Sequence, residues 1–408
     1  MRILFVAPFV PWPLAHGGKI RIFNLVRELA RFHEVTLVCL ADDAEPPLGL
    51  LTDICRRVVP VMHDSNTVAS FARFLFGARP YNVERYASPS LLNAISQVRS
   101  ESFDLAHIEM PQVWPCAIAC RGLPIVLGTQ NVESEILKQM ANACRNPVKR
   151  ILYRIETAKM RRFEESAWRS AQLCLTVSEL ERAEVVASGV EPDRVVTVAN
   201  GVDIVRFAFA PRLGRKRLMF LGGLDYHPNL DALQWLLTNV WPRVHTGDPD
   251  AQLLLAGRGM EKFGASGLPP GVQCIGDPSD VPSCFGEADG LLVPLRIGGG
   301  TRLKVLEAMA AGLPVIATTR GGEGTSAVDG KHLLLADTPD DFVDCCIRLL
   351  DDPLLGAKLA GNARRLVEDS YSWKGIGNRL LTALDDLVEL KARGGSGHTR
   401  LPRSSLVE

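Results

Sequence analysis

Long apolar runs alternate with helical repeats through the first half of the chain. RILFVAP (2–8) is apolar after its first residue, the pattern of a parallel strand buried on both faces. A loop with Gly17-Gly18 follows, and residues 20–31 then switch to helical spacing through Ile22, Leu25, Val26, Leu29 and Ala30. EVTLVCL (34–40), RRVVPVM, DLAHIE, PIVLG, LCLTVS (173–178) and RVVTVAN (194–200) continue the series as further strands. This β-α-β alternation predicts a doubly wound, Rossmann-like sheet.

The second half starts the pattern afresh. RLMFLGG (217–223) reads as a strand ending in glycines, with helical spacing after Pro228. AQLLLAG, VQCIG, DGLLVPL and LPVIATT are four more strands, the last two separated by a helix around 302–311. The stretch 201–216, with Pro211, Gly214 and a basic RKR, suits a domain boundary, giving domains 1–205 and 206–371. Residues 372–393 form a final amphipathic helix, and 394–408 (GGSGHTRLPRSSLVE) read as a disordered tail. Two such domains leave a cleft facing the carboxyl ends of both sheets.

Composition narrows the class. The 408 residues, 47% hydrophobic and 23% charged, provide for two cores and exclude a disordered, collagen-like or coiled-coil chain. Lys+Arg and Asp+Glu are both 46, without the basic excess of a nucleic-acid binder. No apolar run reaches the roughly 18 residues of a membrane span. Pro8, Pro11 and Pro13 interrupt the first apolar stretch, so it reads as strand and loop, with a signal peptide as the minor alternative. Ten scattered cysteines with no C-x-x-C pair look like reduced core thiols of a cytoplasmic protein. No metal constellation appears, because the one Asp-x-Asp (248–250) sits in a turn beside Pro249. A dehydrogenase is disfavoured by the missing dinucleotide fingerprint.

The segment PLRIGGGTRLKVLEAMAAGLPVIATTRGGEG (294–324) reads strand, glycine loop, helix, turn, strand. Gly298, Gly299 and Gly300 let backbone approach a ligand closely, and Thr301 is expected to cap the helix starting near Arg302. A helix start beside Arg302 and Lys304 suits a diphosphate, and the Glu307 carboxylate can accept two hydrogen bonds from a ribose diol. An ordinary tight turn and amphipathic helix would use the same residues.

This segment resembles the donor site of retaining glycosyltransferases of family 4. KVLEAMAAGLPVIAT carries the match, with VANGVDIVRF (198–207), TVSELERAEV (176–185) and YSW (371–373) as further landmarks over about 1–392. GGLDYHPNLDALQWL, TQNVES and RIGGGTRLKVLEAMA look closest to the sugar transferases of bacterial exopolysaccharide clusters. The resemblance implies the GT-B fold, two Rossmann-like domains around a cleft, with the last helix returning to the first domain at YSW. It implies transfer from a nucleotide sugar to a carbohydrate or lipid-linked hydroxyl, with retention, no cofactor and no metal. Glu307 matches the second Glu of the family's Glu-x7-Glu, while the first falls on Gly299. Many members place an Arg and a Lys after the first strand of the second domain, where this chain has Gly222-Gly223 and neither cation. Arg302 and Lys304, with Arg296, are then expected to neutralise the diphosphate. His16, Gly17 and Gly18 match the loop over the phosphates or acceptor.

In the first domain, His107 and Glu109 end the strand DLAHIEMP on one side of it, and one of the two is expected in the catalytic site. A buried histidine satisfied by backbone is the plain alternative. Gln130, Asn131 and Glu133 are candidates to hold the acceptor, or Asn131 caps a helix. The basic stretch 149–169 and the aromatic FARFLFGARPY (71–81) each suit an anionic membrane, or else a solvated helix face and a buried loop. These features place the protein in the cytoplasm at the inner membrane face. The alternatives to transfer are a nucleotide-sugar epimerase of the same fold and a non-catalytic two-lobed binding protein.

Overall fold

The computed structural model describes residues 1–63, 67–144, 146–210, 214–261 and 267–393. Its apolar runs become strands of two parallel sheets. The first sheet contains β1 (Arg2–Ala7), β2 (Glu34–Ala41), β3 (Arg57–Met62), β4 (Leu105–Glu109), β5 (Ile125–Gly128), β6 (Leu173–Thr176) and β7 (Val195–Thr197). Its order is β3-β2-β1-β4-β5-β6-β7. The second contains β8 (Arg217–Leu221), β9 (Gln252–Ala256), β10 (Val272–Gly276), β11 (Gly290–Val293), β12 (Val315–Ala317) and β13 (Leu334–Leu335), in the order β10-β9-β8-β11-β12-β13. β1 and β2 are buried at every position after the first, the pattern of a sheet covered on both faces. In each sheet the first strand lies inside the order, so the winding reverses between β1 and β4 and between β8 and β11. A doubly wound sheet binds its ligand at that reversal.

The chain divides into two compact units, Met1–Ala199 with the chain from Lys374 on, and Asn200–Trp373. The division lies ahead of the expected 205/206 because Asn200–Phe207 is tied into the second unit. Val202 N–H donates to Tyr371 O at 2.8 Å, and Arg364 Nη1 donates to Phe207 O at 2.9 Å. Pro211 and the expected disordered tail lie outside the described residues.

The helices that position the first unit's site are α1 (Gly17–Ala30), α2 (Thr67–Phe76), α3 (Tyr81–Tyr86), α4 (Glu133–Ala143) and α5 (Pro147–Ser170). α5 organises the others. It buries Met160, Ala167 and Trp168, and it places two buried carboxylates against other helices. Glu156 accepts from Tyr81 N–H at 2.8 Å and Asn82 N–H at 3.0 Å, at the start of α3. Glu164 accepts from Glu133 N–H at 2.7 Å and Ser134 N–H at 3.2 Å, at the start of α4. The residues before these helices, Pro80 and Val132, make no side-chain cap of their own. Glu164 therefore takes the place expected for Asn131 as a cap, since the first N–H groups of a helix need outside acceptors. At the far end of α2, Lys159 Nζ donates to Gly77 O at 2.7 Å and to Phe74 O.

Burial pushes the Glu164 carboxyl up to about 8, against the opposing pull of its N–H donors. A carboxyl raised on folding stabilises most below its unfolded value near 4.5, and that contribution is lost as pH rises through about 8. Glu164→Gln keeps an acceptor for α4 and removes the titration. Calorimetric melting from about pH 5 to pH 9 is expected to show wild type losing stability relative to the variant. Parallel profiles would rule this account out.

Candidate active site

In the first unit, strand alternation brings His107 and Glu109 to one side of β4, and they bond directly. His107 Nε2 lies 2.7 Å from Glu109 Oε2, both side chains fully buried. Arg21, one turn into α1, donates from Nε to Glu109 Oε1 at 3.1 Å and from Nη1 to Ala199 O at 3.1 Å. Gln130 Nε2 adds a third donor to Glu109 at 3.3 Å. The His107 ring stacks on Phe5 with centroids 4.3 Å apart. Gly128 on β5 makes room, since a Cβ there would lie 1.9 Å from Glu109 Oε2. Burial pushes the Glu109 carboxyl up, but the Arg21 guanidinium and His107 outweigh it and hold it near 2. As an anion, Glu109 must receive the proton of His107 Nε2–H. Both sequence candidates thus belong to one cluster. Its third member, Arg21, was missed; the signal for it is an arginine beside Ile22 on the apolar side of α1.

Gly17 and Gly18, expected in a loop, are the first residues of α1. A Cβ at Gly18 would approach Phe9 Cζ to 3.0 Å and Gln130 Oε1 to 3.2 Å, a tight fit that a larger residue would take up by shifting those side chains. His16 takes the cap position, its Nδ1 accepting from Lys19 N–H at 3.4 Å. Asn131 Nδ2 donates to Glu133 Oε1 at 3.5 Å, and burial pushes the Glu133 carboxyl up.

In the second unit the candidate site lies at the β8/β11 reversal. It uses α6 (His227–Trp235) and α7 (Leu303–Ala310). The loop between β11 and α7 turns on Gly298 and Gly300, with φ of 134° and 71°. Thr301 does not cap the helix as expected. Its hydroxyl donates to Gly324 O at 3.0 Å, its carbonyl accepts from Asn200 Nδ2 at 3.2 Å, and Arg302 stands at the cap position. Arg302 Nη1 donates to Gly299 O at 2.6 Å.

Lys304 reaches from α7 to the end of β8, donating to Leu221 O at 2.6 Å and Asn229 Oδ1 at 3.2 Å. Asn229 in turn donates to Gly223 O at 2.9 Å, and a Cβ at Gly222 would fall 2.8 Å from Asn229 Cγ. Lys304 therefore stands beneath the glycines where a family cation is missing. Arg296, expected as a further diphosphate cation, instead forms a two-pronged ion pair with Asp231 of α6 at 2.6 and 3.0 Å. Arg258, after β9, was missed; it pairs with Asp225 at 3.2 Å beside Gly223. Burial and the Arg302 charge lower Lys304 to about 7. Burial raises Glu307 to about 7, against Arg206 and Lys304. Both groups therefore stand poised near neutrality. Among the described residues, no three His, Cys, Asp or Glu side chains gather to hold a metal ion.

Arg21→Ala would leave Glu109 charged, buried and short of its strongest partner. The loss is expected at about 3–5 kcal/mol by urea unfolding, with part recovered when Glu109→Gln is added. A single-variant loss below about 1 kcal/mol would contradict a fixed anion at Glu109.

Comparison with known proteins gives these units a family. A model described as Glycosyltransferase Family 4 matches residues 15–206, and one described as Glycosyl transferases group 1 matches residues 215–352. A GDP-mannose-dependent phosphatidylinositol monomannoside mannosyltransferase of Corynebacterium glutamicum is 32% identical over 207 residues, 45% of this chain and 54% of that enzyme. The chain thus spans about half of that relative. It covers 97% of an uncharacterized 44.6 kDa protein in the cps region of Klebsiella pneumoniae, at 23% identity over 92% of this chain. Sucrose-phosphate synthase from Thermosynechococcus elongatus shares the fold with a TM-score of 0.74 at 16% identity, over 96% of this chain and all of that one. HepE of Anabaena, solved with UDP, gives 0.65 at 16% identity over 95% and 100%. The chain thus carries one matched glycosyltransferase domain in each half, on a GT-B fold.

Proposed function

We propose that the chain moves a sugar from a nucleoside-diphosphate sugar to a hydroxyl acceptor, with retention and without a metal, in polysaccharide or glycolipid assembly. The observation that carries this reading is Lys304 and Glu307 one turn apart on α7, beside the glycine loop and both near neutrality. Its relatives support it: the Corynebacterium enzyme uses GDP-mannose on a phosphatidylinositol monomannoside, HepE was solved with UDP-glucose, and the Klebsiella relative lies in a cps region.

In the reaction, the bond from the anomeric carbon to the diphosphate oxygen breaks and its electron pair leaves with the diphosphate. The acceptor oxygen bonds to that carbon from the same face, and its proton passes to the leaving phosphate oxygen. Charge grows on the diphosphate, where Lys304 and Arg302 act. One well-placed donor of this kind contributes roughly 3–4 kcal/mol. Glu307 accepts the ribose hydroxyls. The acceptor side is assigned to the first unit, with His107 held in one orientation by Glu109 and Arg21, and with Asn131 and Glu133 at the start of α4. No helix among the described residues is long and apolar enough to cross a membrane. We place the reaction in the cytoplasm, at the inner membrane face.

The direct test incubates the protein with UDP-, GDP- and ADP-sugars and with free or lipid-linked sugar acceptors. Acceptor-dependent transfer with the donor's anomeric configuration, read by NMR, is expected. Free sugar released without an acceptor would favour the epimerase reading, and a trapped glycosyl-enzyme would overturn the same-face mechanism.

Binding should also move protons. With Lys304 titrating near 7, it is mostly neutral at about pH 8, and an arriving diphosphate raises its affinity for a proton. Calorimetric titration with the cognate nucleoside diphosphate in buffers of different ionisation enthalpy should therefore show proton uptake, diminished in Lys304→Met. Equal heats in all buffers would exclude Lys304 as the responding cation.

A further inference from the structure

We infer that α2 and the first half of α5 form one docking surface for an anionic lipid layer. On α2, Val68, Phe71 and Leu75 are 79%, 43% and 48% exposed and recur on one face, and Phe76 beside them is 91% exposed. The buried side of the same helix is Ser70 and Phe74. On α5, Val148, Ile151 and Ile155 repeat the same spacing and are 66%, 57% and 42% exposed. Lys159 extends that row by one turn and grips the end of α2. Its Nζ donates to Gly77 O at 2.7 Å and lies 4.5 Å over the Phe74 ring. The row on α5 therefore runs to the end of α2 where Phe76 stands, and two stretches 70 residues apart in sequence make one surface.

The concentration is unusual for this molecule. Of seventeen exposed large apolar side chains among the described residues, seven belong to these two helices. Within the two stretches themselves the charges have one sign. Residues 67–80 contain Arg73 and Arg79 and no acid, and residues 147–155 contain Lys149, Arg150 and Arg154 and no acid, in a chain whose overall charge is zero. Arg73 is paired with Glu84 of α3 at 2.7 Å, while Lys149 and Arg154 are exposed. Apolar side chains rimmed by basic ones fit a layer with apolar tails and anionic headgroups. A second copy meeting this face by two-fold symmetry would set like charge against like.

The surface is held firmly. The same α5 that carries Ile151 and Ile155 also caps α3 through Glu156 and α4 through Glu164. One rigid helix thus joins the lipid-facing side chains to Asn131 and Glu133 at the start of α4. The docking surface stands without the transfer reaction, which it would supply with a lipid-borne acceptor.

Vesicle co-sedimentation tests the inference without any activity assay. Wild type is expected to bind phosphatidylcholine–phosphatidylglycerol vesicles, weakly bind phosphatidylcholine alone, and release as salt rises. Lys149→Ala and Arg154→Ala should each weaken binding roughly fivefold. Phe76→Asp with Ile151→Asp should abolish it, with the melting temperature and nucleotide binding unchanged. Wild type that ignores anionic vesicles, or variants that bind as tightly as wild type, would overturn the inference. So would a concentration-dependent dimer in light scattering that the double variant dissolves while vesicles go unbound.

Discussion

Everything at the site follows from where the first strand of each sheet sits. With β1 and β8 inside their sheets, consecutive connections leave toward opposite faces and a gap opens at the carboxyl ends of adjacent strands. The groups that matter gather at those gaps. In the first unit they are the start of α1 and the end of β4; in the second they are Gly222-Gly223 after β8 and the glycine loop after β11. The glycines are consequences of the same crowding. Gly128 yields to the Glu109 carboxylate and Gly222 to the Asn229 amide, and a side chain at either position would occupy a polar partner's space.

Three carboxyls, Glu109 and Glu164 buried and Glu307 half-buried, show how neighbours decide charge. Glu109 is completely buried yet held near 2, because Arg21 faces it. Glu164 has uncharged donors from Ser134 and Glu133 and the Glu133 carboxyl nearby, and burial carries it to about 8. Glu307 lies between, raised to about 7 with Arg206 and Lys304 at a distance. The first unit therefore offers a fixed anion and an oriented imidazole. The second offers a lysine and a carboxyl whose charges can respond to what binds, the property expected of groups that meet a diphosphate and a ribose.

Much of this was legible in the sequence. Parallel strands buried on both faces write themselves as apolar runs, so RILFVA and EVTLVCLA were readable as strands. The glycine loop and Glu307 were legible because their spacing is local. What escaped was long-range pairing. Nothing near Val132 announces that Glu164, over thirty residues on, caps α4. Arg296 looked like a spare cation until Asp231, 65 residues earlier, was found across from it. Arg21 was hidden for the opposite reason: an arginine in an amphipathic helix ordinarily lies on the solvent side, and only a buried carboxylate opposite it makes the apolar side tenable. The two membrane-like stretches were visible singly, but their union depends on Lys159 reaching the carbonyl end of α2.

The central claim is that Glu307 reads the ribose of a bound nucleotide. It is tested most directly by titrating wild type and Glu307→Gln with the nucleoside diphosphate that binds and with its 2′,3′-dideoxy analogue. Wild type is predicted to bind the natural nucleotide much more tightly than the analogue, and Glu307→Gln to lose most of that preference while binding the analogue as wild type does. An undiminished preference in the variant, or an equal loss for both ligands, would contradict the assignment.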